Sequence, residues 1–176
     1  MKNAVIIPTG DEIRNGIVLD TDSPAIMALI VRFYPEVSVL RTAPVSDAEE
    51  SIQRLVESFD PDAPDLIVLI GGSGGGHRHS DTLGKDYTHS ALEAILSPVC
   101  SSEIYGKNGH LWTRLLCGKR GACLVVNVPG PYVEACAATQ ALLEALSKGR
   151  SIYEINQDMS DAVFAQFPVG SAQKEY

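Results

Sequence analysis

The sequence has no uninterrupted apolar stretch of the roughly 20 residues that a membrane span needs, so no membrane partner is expected. The opening "MKNAVIIPTGDEI" reaches a proline and two acids at once. No signal peptide is expected from it, and the expected location is the cytoplasm. The four cysteines (Cys100, Cys117, Cys123 and Cys136) show neither a CxxC spacing nor a paired-histidine spacing. That argues against a structural zinc site and for reduced, mostly buried thiols. Positive charge is scarce: 14 Lys and Arg against 22 Asp and Glu, for a formal net charge of -8. A nucleic-acid backbone would be repelled on average, so no nucleic-acid partner is expected. No internal repeat or linker is visible.

What is present is one domain's worth of chain, 176 residues with enough apolar content for a core. The expected organisation is a single domain over residues 1–168 and a frayed tail over 169–176. "AVII" at 4–7 reads as a buried strand, ended by Pro8, Gly10 and Asp11. "SPAIMALIVRF" reads as a helix, with Ser23 as its cap and Ile26, Leu29, Ile30 and Phe33 as its apolar stripe. "EVSVL" is a second strand. "SDAEESIQRLVESF" pairs Ser46 with Glu49 as a capping box before a stripe of Ile52, Leu55, Val56 and Phe59. "DLIVLIGG" is a third strand, and residues 87–96 form a helix. "HLWTRLLCGK" reads as a short helix with Leu111, Leu115 and Leu116 inward, and "ACLVVNVPG" as the last clear core strand. "VEACAATQALLEALSKG" is a strong helix with Gly149 at its C-terminal end, and residues 158–167 a final one. Strands and helices alternate, and the strands lack the polar alternation of a half-wet sheet. Both features predict an α/β fold of three layers, α/β/α, around a mostly parallel sheet.

In such a fold ligands bind beyond the carboxyl ends of the strands. Three loops fall there: "PTGDEIRNG", "GGSGGGHRHSD" and "NVPGPY". In the second, glycines permit positive φ and close approach, so that successive amides can cradle an anion. No Gly-Lys-Ser/Thr follows, so it is not a Walker A loop, and its glycines do not follow the first strand as a dinucleotide fingerprint does. Ser73, His77, Arg78, Asp81 and Lys85 are packed around it. A forked Arg78 suits phosphate. The plain alternative is a surface loop. Asp11, Glu12, Asp20 and Asp22 flank the first loop, where carboxylates beside a bound phosphate would call for Mg²⁺. The plain alternative is helix capping and ordinary surface charge. His77 and His79 lack an obvious third metal ligand.

These loops resemble the molybdopterin-binding domain family, which includes enzymes that adenylylate molybdopterin or insert molybdate, and the amino-terminal domain of competence-damage-inducible proteins. The resemblance rests on "TGDEIRNGIVLDTDSP" at 9–24, "GGSGGGHRHSDT" at 71–82 and "VPGPYVEACAA" at 128–138. It implies a three-layer fold and a homo-oligomer, a trimer before a dimer. It implies molybdopterin or a related phosphorylated nucleotide as ligand, with Mg²⁺. Asp81 and Asp11 would be catalytic, and Asp11, Asp81 and Asp22 would hold the metal. Thr9, Gly10, Gly71, Gly72, Ser73, Gly74, Gly75, Arg78, Thr82, Lys85, Pro129 and Gly130 would bind the ligand, with Arg78 and Lys85 offsetting phosphate charge. The chain departs from the family pattern in three places. Asp22 stands where Asn is usual, Asp81 comes about two residues late, and Pro131-Tyr132 replaces Asn-Pro. The alternatives are a non-catalytic carrier of the cofactor, a nucleotide-processing relative acting on ADP-ribose, and a structural or regulatory domain with a protein partner.

Overall fold

The computed structural model describes residues 1–74 and 87–176. Strands β1 (Asn3–Pro8), β2 (Ser38–Arg41), β3 (Leu66–Ile70), β4 (Val99–Gly106), β5 (Leu111–Arg120), β6 (Cys123–Val128) and β7 (Ala172–Glu175) form one sheet in the order β2-β1-β3-β6-β5-β4-β7. The first four strands in that order run parallel, and β5, β4 and β7 add antiparallel pairings at the far side. Helices α1 (Asp11–Arg14), α2 (Asp22–Phe33), α3 (Glu49–Glu57), α4 (Thr88–Ile95), α5 (Tyr132–Ser147) and α6 (Ile152–Phe164) complete the described elements.

The unbroken apolar strands are explained by cover on both faces. Ala4 and Ile6 of β1, Leu66, Val68 and Ile70 of β3, and Val126 and Val128 of β6 pack into one core with residues of α2, α5 and α6. The alternate residues Val5, Ile7, Ile67, Leu69 and Val125 pack into a second core with α3 and α4. Successive side chains of a strand point to opposite faces, so this division is the expected α/β/α arrangement. No helix among the described residues is long and apolar enough to cross a membrane.

Several local expectations are corrected. The segment read as a short helix at 110–119 is strand β5. Leu115 enters the core shared with α6 while Leu116 enters the opposite one, a period of two that its leucine spacing concealed. Strand β4 escapes a search for apolar runs because it is partly polar, and it is held as a strand by β5 on one side and β7 on the other. Residues 172–175, inside the expected frayed tail, form β7 against residues 103–106. The last helix begins at Ile152, six residues before residue 158. A capping box of Ser151 and Glu154 starts it. Ser46 and Glu49 make no such box; α3 begins at Glu49 behind Ala48, with no side-chain cap. Ser23 lies inside the first turn of α2 rather than before it, and its amide donates to Asp20 Oδ1 at 2.9 Å. All four cysteines are free; Cys117 and Cys123 are buried, Cys100 and Cys136 half-buried.

Candidate functional site

The exits of β1, β3 and β6 are stitched together by backbone bonds. Thr9 donates both its amide and its Oγ1 hydroxyl to Ile70 O, each at 2.9 Å. The Gly71 amide donates to Val128 O at 3.0 Å. On the other side, the amide of Gly10 donates to Val45 O and that of Val45 to Pro8 O, which draws in the loop after β2. Four parallel strands therefore deliver their carboxyl-end loops to one rim.

Glycine is required where these loops touch. Gly71 has φ +92°, and a Cβ there would lie 3.0 Å from Thr9 Oγ1. At Gly72, with φ +60°, it would lie 2.1 Å from Thr88 Oγ1. No other residue type fits such a position without displacement of the loop.

The rim encloses a cavity of about 320 Å³, a volume suited to a small organic ligand. Thr9, Gly71, Gly72 and Gly130 line it at the strand exits. Ile13, Val18, Leu19 and Tyr132 contribute apolar lining, and Glu12, Asp20, Asp22 and Asp47 contribute carboxylates. Among the described residues no lysine or arginine lines it; Arg41 stands just behind, forked onto Asp20 Oδ2 at 2.9 and 2.6 Å. Burial pushes the Asp20 carboxyl up, but hydrogen bonding from Ser23 and the bonds and charge of Arg41 outweigh it, so its pKa falls below 3.8. Asp22 goes the other way. Desolvation raises it, the negative Asp20 adds to the rise, and a hydrogen bond from Thr21 offsets only part.

Thr9, Gly71, Gly72, Gly130 and Asp22 thus meet at the cavity. Gly10 and Pro129 are buried and not part of its lining. Asp11 heads α1 and donates its amide to Asp47 Oδ2 at 3.3 Å; it too is outside the lining. Ser73 is buried against β5, where its hydroxyl accepts a bond from Thr113 Oγ1 at 2.9 Å. Gly74 is half-buried beyond it. Gly75, His77, Arg78, His79, Asp81, Thr82 and Lys85 lie outside the described residues. Among the described residues no three His, Cys, Asp or Glu side chains are arranged to hold a metal. Tyr132 closes the "NVPGPY" loop expected at this rim, whereas Asp47 is a cavity residue outside the three expected loops. The signal for Asp47 was available: β2 is a parallel strand, so the loop after it must exit on the same rim.

Residues 5–148 match the family model described as "Probable molybdopterin binding domain", and the chain belongs to that family. No curated protein matches by sequence. Among solved structures it is similar to the molybdopterin biosynthesis enzyme MoaB of Thermus thermophilus, with 22% identity, 89% of this chain and 98% of that one covered, and a TM-score of 0.65. The molybdopterin biosynthesis Mog protein of Mycobacterium ulcerans is likewise 22% identical, over 88% and 99% of the two chains, with a TM-score of 0.63. CinA of Thermoplasma acidophilum is 20% identical over 84% and 97%, with a TM-score of 0.55. These likenesses are likenesses of fold.

Proposed function

We propose that the protein binds molybdopterin in the cavity at the joined exits of β1, β3 and β6 and acts in molybdenum cofactor biosynthesis. The observation that carries this is the convergence of Thr9, Gly71, Gly72 and Gly130 on one cavity, in a chain of the molybdopterin-binding family. The amides of Thr9 and Gly71 are spent on Ile70 O and Val128 O, so a phosphorylated end would meet the backbone at Gly72 and Gly130. The apolar lining with the Tyr132 ring suits a flat heterocycle, and the carboxylates suit its N–H donors.

The reaction proposed is Mg²⁺-dependent adenylylation of molybdopterin or molybdate insertion. Mg²⁺ commonly takes one or two carboxylates together with substrate phosphate and water. Asp22 and Asp47 supply carboxylates at the cavity for such an arrangement.

Calorimetric titration with molybdopterin, AMP, ATP and ADP-ribose, each with and without Mg²⁺, tests the proposal. Saturable binding of molybdopterin, with ATP binding that requires Mg²⁺, supports it. Binding of ADP-ribose alone, or of none of the four, overturns it.

A further inference from the structure

Strand β5 changes neighbours along its length. From Cys117 to Arg120 it is paired with β6, Cys117 opposite Val126 and Arg120 opposite Cys123. Toward Leu111 the ladder stops, although β6 runs on to Val128. A side chain takes its place. Leu116 N donates to Asn127 Oδ1 at 2.6 Å, and Asn127 Nδ2 donates to Arg114 O at 2.9 Å. One carboxamide thus satisfies a donor and an acceptor on the β5 edge while keeping the strands apart.

The next group on that edge, the Arg114 amide, donates to Ser73 O at 2.7 Å. Thr113 Oγ1 donates to Ser73 Oγ at 2.9 Å. The chain that leaves β3 through Gly71, bonded to Val128, therefore crosses to β5 two residues later. Ser73, Thr113 and Asn127 are all buried. A continuous β5–β6 ladder would offer the Arg114 amide to β6 instead. An aliphatic residue at 127 would strand two buried backbone groups.

We propose that Asn127 and Thr113 are positioning residues for the segment 71–73. Asn127 holds β5 off β6, and Thr113 fixes Ser73 in the gap. Together they set where Gly71 and Gly72 present their backbone to the cavity. The consequence for ligand affinity rests on the molybdopterin-binding proposal; the seating of the loop does not.

The test compares Thr113→Val with Thr113→Ser. Amide exchange at Arg114 reports whether Ser73 stays docked, and calorimetry with molybdopterin reports the consequence. Loss of the hydroxyl is expected to speed exchange at Arg114 and to weaken affinity, each by about fivefold, the scale of one hydrogen bond. The melting temperature should move by only about 2 °C. Thr113→Ser should restore exchange and affinity together, which a general loss of packing would not permit. Asn127→Asp, which keeps the acceptor and loses the donor, should act in the same direction; if it fails to fold, the Thr113 pair still decides. Unchanged exchange in Thr113→Val overturns the seating, and faster exchange with unchanged affinity overturns the positioning role. If the unaltered protein binds no molybdopterin, the functional proposal falls alone, and exchange at Arg114 still settles the seat.

Discussion

Gly72 lies against Thr88 so closely that a Cβ on the glycine would stand 2.1 Å from the threonine hydroxyl and 2.9 Å from its Cβ. The two are also bonded, the Thr88 amide donating to Gly72 O at 3.2 Å. This contact anchors the start of α4 to the cavity lining. Gly72→Ala brings a positive-φ penalty and a clash with a buried, branched side chain at once. A loss of about 2 to 4 kcal/mol is expected, read as a lower urea midpoint with an unchanged slope. A midpoint equal to that of the unaltered protein would show that the two elements can separate freely.

The pair at Asp20 and Arg41 links the loop before α2 to the end of β2. Asp20 also accepts the Ser23 amide, so the carboxylate both caps a helix and holds a strand exit. Its pKa is lower in the fold than in the unfolded chain. The stability it contributes is therefore complete above the ordinary value near 3.8 and is lost as pH falls through the lower folded value. Asp20→Asn keeps an acceptor for Ser23 and should cost about 0.5 to 1 kcal/mol at neutral pH; Asp20→Ala should cost about 1 to 2. Urea melts at pH 7 and below pH 3 measure both. A deficit that persists undiminished in acid would rule out the charge as its source.

Most of the parallel half of the fold is legible in the sequence because burial on both faces leaves a plain mark. "AVII", "LIVLI" and "CLVVNV" can hardly be anything else between polar loops. The antiparallel half is obscured by the same logic. β4 carries Ser101, Ser102 and Glu103, and the paired leucines of β5 fit a helix as readily as a strand until their partners are known. Capping shows the same dependence on context. Ser46-x-x-Glu49 and Ser151-x-x-Glu154 are alike on paper, but only the second closes a box. At the site, the loops with glycine declare themselves and carry Tyr132 with them, whereas Asp47 reaches the cavity through topology. Asn127 is an intermediate case. A lone amide in an otherwise apolar buried strand is a visible irregularity, yet its two bonds to β5 follow from where the ladder parts.

Asp22 carries the opposite charge conflict from Asp20. Its carboxyl is raised by desolvation and by the neighbouring Asp20, so it gives up its proton less readily in the fold than in the unfolded chain. Below the ordinary value of 3.8 it is neutral in both states and costs nothing. As pH rises from there through the raised folded value, ionisation is easier in the unfolded chain and stability falls. Asp22→Asn preserves an acceptor for the Thr21 hydroxyl and removes the charge. The variant should melt about 2 °C higher at pH 7 and show no gain below pH 3. A gain of equal size at both pH values would point to packing instead of ionisation.

Tyr132 opens α5 and lines the cavity while its side chain remains half-exposed. A ring so placed has little core to support and is within reach of a ligand in the cavity. Tyr132→Ala should weaken molybdopterin binding by about three- to tenfold, the range of a lost aromatic stacking contact. The melting temperature should stay within about 1 °C, as befits a surface substitution. Tyr132→Phe keeps the ring and should bind as the unaltered protein does. Equal loss in both variants would assign the contact to the hydroxyl. Full affinity in the alanine variant would place the heterocycle away from this residue, against the glycines and the carboxylates alone.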